Sequence, residues 1–211
     1  MHMQSRSHTF AGAAAVCAGL AWIIWVIINI STGGGLDVGP KAVGPGVARL
    51  GEILTVAWNL LLLPAVLLVF ELGRRERPWM TGVTLCGILS FAFWAYGSAT
   101  RTLTPSLEAT YLVLSAVWWG GFGFFFRRSL PWFGLLTMIL GAFSLWDAIL
   151  TSFEPVRYAL YMTGSLKLPL SILWDFILGI LLLRGKLNII LSDTPPVAHP
   201  VAGTQPFSGG H

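Results

Sequence analysis

Two Leu-Trp-Asp triplets, Leu145-Trp146-Asp147 and Leu173-Trp174-Asp175, interrupt apolar runs long enough to cross a bilayer. An acid at membrane depth costs about 2.5–3.5 kcal/mol on insertion scales, so such a residue is normally partnered or functional. Trp58-Asn59, inside a third apolar run, repeats the pattern with an amide in place of the acid. Carboxylates in this setting can bind a cation or a proton. A desolvated Asp can also serve as a general acid.

Helical spacing sorts the polar residues into faces. Glu52, Thr55 and Asn59 follow i, i+3, i+7; Lys167, Ser171 and Asp175 follow i, i+4, i+8; Ser144, Asp147, Thr151 and Glu154 follow i, i+3, i+7, i+10. Ser90, Trp94, Gly97 and Arg101 add a further row, and Glu108 with Ser115 another. Asp175 falls near the centre of its run, and Asp147 lies about six residues toward one end, roughly 9 Å by helical rise. Polar stripes facing lipid are costly, so they are expected to converge as an outward-opening pocket that narrows to Asp175. The candidate ligand- or ion-binding residues are therefore Asp175, Asp147, Asn59, Glu52, Glu108 and Ser171, with Trp174 and Trp58 as aromatic walls. The competing reading is structural: Ser, Thr and Asn as interhelical glue, Asp147 bonded to Ser144 and a neighbouring helix, and Glu108 paired with Arg101.

These residues need a scaffold of helices. The chain has 211 residues, 55% of them hydrophobic and 10% charged, with a mean hydropathy of +0.74. Soluble domains carry about 25% charged residues, so composition alone places this chain in the membrane class. A hydrocarbon core about 30 Å thick needs roughly 20 apolar residues of helix. Six segments qualify, at about 10–30, 52–72, 78–98, 107–126, 131–152 and 167–184. The runs are continuous rather than alternating, so the expected fold is an all-α polytopic bundle. Residues 1–187 form that one domain, and the Pro-, Gly-, Ser- and Thr-rich stretch 188–211 is expected to be a disordered cytoplasmic tail.

Arg6, Arg74, Arg75, Arg77, Arg127, Arg128, Arg184 and Lys186 fall on one side, eight of the thirteen basic residues. The positive-inside rule makes that side cytoplasmic, with both termini there. The pI near 9.4 reflects this asymmetry and implies no nucleic acid. The first run is longer than a signal-peptide core and lacks an A-x-A site, so it reads as an uncleaved span. The loop 31–51 is rich in Gly and Pro and should lie irregularly over the outer face, its last residues Val47 to Leu50 already helical. The stretch from Glu154 to Leu166 is read as a loop carrying a short interfacial helix. Tight turns force 52–72 with 78–98, and 107–126 with 131–152, into antiparallel hairpins. Ala11, Ala15 and Gly19, and the glycines of Trp118-Trp119-Gly120-Gly121-Phe122-Gly123, allow close helix approach.

Ten tryptophans divide into two sets. Trp79 and Trp132 fall at span ends, as an aromatic belt requires. Trp22, Trp58, Trp118, Trp119 and Trp174 lie deeper, where an indole N–H needs a polar partner. Histidines occur only at 2, 8, 199 and 211, so no haem ligand or Ser-His-Asp arrangement is available within the spans. Cys17 and Cys86 are isolated, the Asn29-Ile30-Ser31 sequon abuts the membrane, and no nucleotide or zinc-protease motif occurs. No metal and no cofactor is implied.

The segment Phe125-Phe126-Arg127-Arg128-Ser129-Leu130-Pro131-Trp132-Phe133-Gly134, running into Gly141-Ala142, resembles the central hairpin of a bacterial six-span family, domain of unknown function 4386. The ending from Pro169 through Asp175 to Leu183-Arg184-Gly185-Lys186 is similar to that family's last helix, where the acid is usually Glu rather than Asp. The resemblance implies a bacterial inner-membrane protein and no particular activity.

Three functions fit these residues. The first is an uncharacterised membrane protein that binds or translocates a small solute, a cation or a proton through the polar pocket. A non-catalytic accessory protein holding a membrane partner or a second copy of itself is the second. The third is an intramembrane acid enzyme using Asp147 or Asp175 on a lipid-like substrate, as in small integral-membrane terpenoid cyclases.

Overall fold

The computed structural model describes residues 2–32, 45–74, 77–100, 104–152 and 157–187. Among them are six helices and no strand: α1 (His2–Ser31), α2 (Pro45–Gly73), α3 (Met80–Thr100), α4 (Pro105–Phe126), α5 (Pro131–Ser152) and α6 (Arg157–Leu183). All six are long and apolar enough to span a membrane, so the chain is a multi-pass membrane protein in contact with the lipid bilayer. The expected all-α six-helix bundle is thus the observed one.

Several boundaries differ from the hydropathy reading. α1 begins at His2 rather than near residue 10; α2 begins at Pro45, ahead of the span expected from 52, and takes in Val47 to Leu50, which were expected to be helical already. α6 begins at Arg157, so the expected separate interfacial helix is instead the start of one continuous rod. Hydropathy marks only the part of a helix that needs hydrocarbon, whereas hydrogen bonding carries the helix on past that layer. His8, which lies before the expected first span, is helical and buried, and Asn29 is buried within α1. The proposed tail over 188–211 and the loop 33–44 lie outside the described residues.

Local chemistry explains several helix ends. Thr104 caps α4, its Oγ1 accepting the Leu107 N–H at 3.3 Å, and Pro105 follows where a missing N–H costs nothing. Gly185, with φ of 61°, stops α6, and its N–H donates to the Leu182 carbonyl at 3.0 Å. Pro64 and Pro169 stand inside α2 and α6, as neighbouring helices permit in membrane spans.

The helices form a ring in chain order, each packed on the next, with α6 closing on α1 and a lighter contact between α2 and α6 across the ring. Both predicted hairpins are present. Lipid removes the hydrophobic incentive for helices to associate, so close packing must hold the ring. Glycine provides it. A Cβ on Gly134 would fall 2.7 Å from the Arg127 nitrogen and 2.8 Å from the Gly123 carbonyl, and one on Gly141 would fall 2.9 Å from the Gly120 nitrogen. Across the α1–α6 seam, a Cβ on Gly12 would meet the Gly179 carbonyl at 2.8 Å, and Ala11, Ala15 and Ala18 are buried nearby.

Inside the ring lies an aromatic core. Trp58 meets Phe91, Phe91 meets Trp118, Trp118 meets Trp174, and Trp174 stacks on Phe133, which reaches Phe126. Most of these contacts are edge-to-face, the arrangement the ring quadrupole favours. At the α4–α5 seam, Gly134→Ala should lower stability by about 1–3 kcal/mol, because the methyl meets backbone that cannot yield. Gly120→Ala, whose Cβ meets nothing within 4 Å, should leave the melting temperature near wild type. Thermal unfolding in detergent micelles checks both.

Candidate functional site

Asp175 projects from α6 into the aromatic core and is 0% exposed. The Trp58 indole Nε1–H of α2 donates to its Oδ2 at 2.8 Å. Its Oδ1 is buried with no hydrogen-bond partner. Gly19 of α1 closes the other side, where a Cβ would stand 3.3 Å from that of Asp175. Trp22 of α1 packs edge-on against Trp58 at 5.5 Å. Three helices therefore meet at this one carboxyl group. No cation neutralises it among the described residues.

Trp174, beside Asp175 in sequence, faces another way. Its indole N–H donates at 2.8 Å to Thr137 Oγ1 of α5, and that hydroxyl donates on to the Phe133 carbonyl at 2.7 Å. Trp174 is thus a fully buried packing element tied to α5, in the core around Asp175 rather than on its oxygens. The expectation that deep indoles find partners holds for Trp58 and Trp174. It fails for Trp22 and Trp118, whose N–H groups are buried without one.

Asp147 has a different environment. Lys167 Nζ of α6 donates to its Oδ2 at 2.9 Å, so the pair joins α5 to α6. The side chain of Asp147 is 8% exposed and that of Lys167 23%. Lys167 stands eight residues before Asp175, roughly 12 Å along the helix. Periodicity had placed Lys167 in one stripe with Asp175, yet its charge is committed to the other acid. The suggested bond from Asp147 to Ser144 is absent, because the Ser144 hydroxyl donates to its own helix at the Leu140 carbonyl. Thr151 and Ser171 likewise donate to Asp147 and Leu168 carbonyls within their helices. Asp147 Oδ1, like Asp175 Oδ1, is buried without a partner.

The remaining candidates scatter. Asn59 is buried, its Nδ2 donating to the Thr55 carbonyl at 2.8 Å, with Oδ1 unpartnered. Glu52 accepts from Arg49 at 3.0 Å within the first turns of α2, so the α2 stripe turns away from the core at that end. Glu108 is half-buried in the first turn of α4, where the helix dipole favours an acid. Its suggested partner Arg101, like Glu154, is outside the described residues. A groove of about 410 Å3 between α4 and α5 is lined by Ala109, Thr110, Val113, Leu114, Leu145, Ala148 and Ile149. It is apolar, and neither Asp147 nor Asp175 lines it.

The structure therefore brings Trp58 and Asp175 together and keeps Asp147 with Lys167. Thr137 and Lys167 were absent from the candidate set although each holds a polar contact between helices. Lys167 carried a usable signal, since a lysine at a span end opposite a buried acid needs a partner; Thr137 carried none. Lys167→Met should destabilise the protein by about 3 kcal/mol, because it strands a buried carboxylate. Adding Asp147→Asn should recover most of that loss, and a double-mutant cycle on chemical unfolding in micelles measures the coupling.

Comparison with known proteins gave no match to a family model, to a curated protein or to a solved structure.

Proposed function

We propose that this chain is an inner-membrane protein, with both termini cytoplasmic, that binds or translocates a small solute, a cation or a proton, and that Asp175 is the binding group. One observation carries the reading. Asp175 is fully buried, receives a single hydrogen bond from Trp58, and keeps Oδ1 without a donor. Stranding a buried carboxyl oxygen is costly, whereas a bound cation, proton or protonated amine would satisfy it. The Lys167–Asp147 pair stands nearer the end where α6 begins, and it would meet a solute entering from that side before Asp175 does. Orientation follows from the excess of arginine at the opposite end.

A second reading has its own support. The glycine seams and the aromatic core pack this bundle tightly, and the Trp58–Asp175 bond could act only as a clip between α2 and α6, as an accessory protein would need. Asp175→Asn separates the two. An amide oxygen still accepts the Trp58 N–H, so the clip survives while the acid is lost. On the binding reading, solute or cation binding, or proton flux into proteoliposomes, falls by about tenfold to a hundredfold, the worth of one charge-assisted contact of about 1.5–3 kcal/mol. Unchanged flux and binding with an unchanged melting temperature would leave Asp175 with the structural role.

A further inference from the structure

The described cations at the two ends of the bundle have different surroundings. At the end where α6 begins, Arg49 and Lys167 are each paired, with Glu52 and Asp147. The opposite end holds the α2–α3 and α4–α5 turns and the last turn of α6. There Arg6, Arg77, Arg127, Arg128, Arg184 and Lys186 have no carboxylate partner among the described residues; Arg74 is paired with Glu71 at 2.8 Å.

Two of these arginines lie over rings, and Arg127 stands on an exposed shelf formed by Phe124 and Trp79. The Arg127 guanidinium lies 3.8 Å from the centroid of the Phe124 ring, and Arg77 lies 5.9 Å over Phe125. Phe124 in turn packs edge-on against Trp79 at 5.8 Å, joining the start of α3 to the end of α4. Arg128 follows Arg127 in the same turn and is exposed. A guanidinium held flat on a ring still presents its N–H edge to an anion. Phe124 and Trp79 are themselves exposed at the ends of apolar spans, so the shelf faces lipid at headgroup depth. Below it Val117 and Val113 continue the exposed face of α4, a surface for an acyl chain.

We propose that Arg77, Arg127 and Arg128, in the two turns beside the exposed rings of Trp79 and Phe124, form a binding site for the phosphate of an anionic phospholipid. Charge complementarity selects the headgroup, and the apolar strip beneath distinguishes a lipid from a free anion. Basic pockets between spans at this depth are the setting in which acidic headgroups are held.

The test uses the full chain in phosphatidylcholine vesicles, comparing spin-labelled phosphatidylglycerol with spin-labelled phosphatidylcholine for motional restriction by the protein. The wild type should prefer the anionic lipid, and added salt should weaken the preference. Each of Arg77→Gln, Arg127→Gln and Arg128→Gln should reduce it, by about fivefold per charge removed. Arg49→Gln at the other end should leave it intact. Absence of an anionic preference in the wild type overturns the proposal without any variant. It is equally overturned if the triple variant keeps the preference, if Arg49→Gln removes as much, or if inorganic phosphate displaces the labelled lipid.

Discussion

The hydrogen bond from the Trp58 indole to Asp175 ties together the elements that matter most in this bundle. It crosses the ring from α2 to α6, a helix pair with few other contacts, and it is made inside a core that offers no water to a stray donor. Gly19 on α1 gives Asp175 close quarters, because a Cβ at that position would stand 3.3 Å from that of the acid and 3.1 Å from the Phe176 ring. The hydrogen bond also requires Trp58 to lean between Trp22 and Phe91, which sets the rotation of α2. A single polar contact thereby constrains three helices, and it leaves one carboxyl oxygen unmet at the point where they join.

Around that contact the bundle is held by geometry more than by attraction. The α4–α5 and α1–α6 seams bring backbone against backbone where glycines face each other. Between them the aromatic chain from Trp58 to Phe126 fills the interior with large rings that glycine leaves room for; Gly87, for example, lies against the Trp118 indole. Small residues on the seams and bulky ones in the centre are two halves of one packing solution. Most Ser and Thr hydroxyls donate to carbonyls of their own helices and so add little to cohesion between helices.

Charge divides the molecule along its long axis. Where α6 begins, the described cations Arg49 and Lys167 are each matched to an acid, and the Lys167–Asp147 pair is drawn partly into the bundle. At the turn-bearing end arginines lie over rings and stay available to what surrounds the protein. That contrast gives a chain of simple composition two chemically distinct ends, one with described ion pairs and one with arginines that have no carboxylate partner among the described residues.

Sequence was sufficient for the class, the number of helices and the two hairpins, because bilayer thickness and backbone hydrogen bonding leave an apolar run of 20 residues little choice. It also singled out Asp147, Asp175 and Trp58 as residues needing explanation. Helix starts were misread at α1 and α6, where hydropathy stops but the helix does not. Pairings were beyond its reach. Periodicity ranks residues around one helix and is silent on how neighbouring helices are rotated, so Lys167 was grouped with Asp175 although it belongs to Asp147. Tertiary packing alone decided that Trp58 serves Asp175, that Trp174 serves Thr137, and that the two similar triplets occupy unlike surroundings. The physical reason is close approach: glycine contacts fix the rotation of each helix, and rotation determines which polar atoms meet.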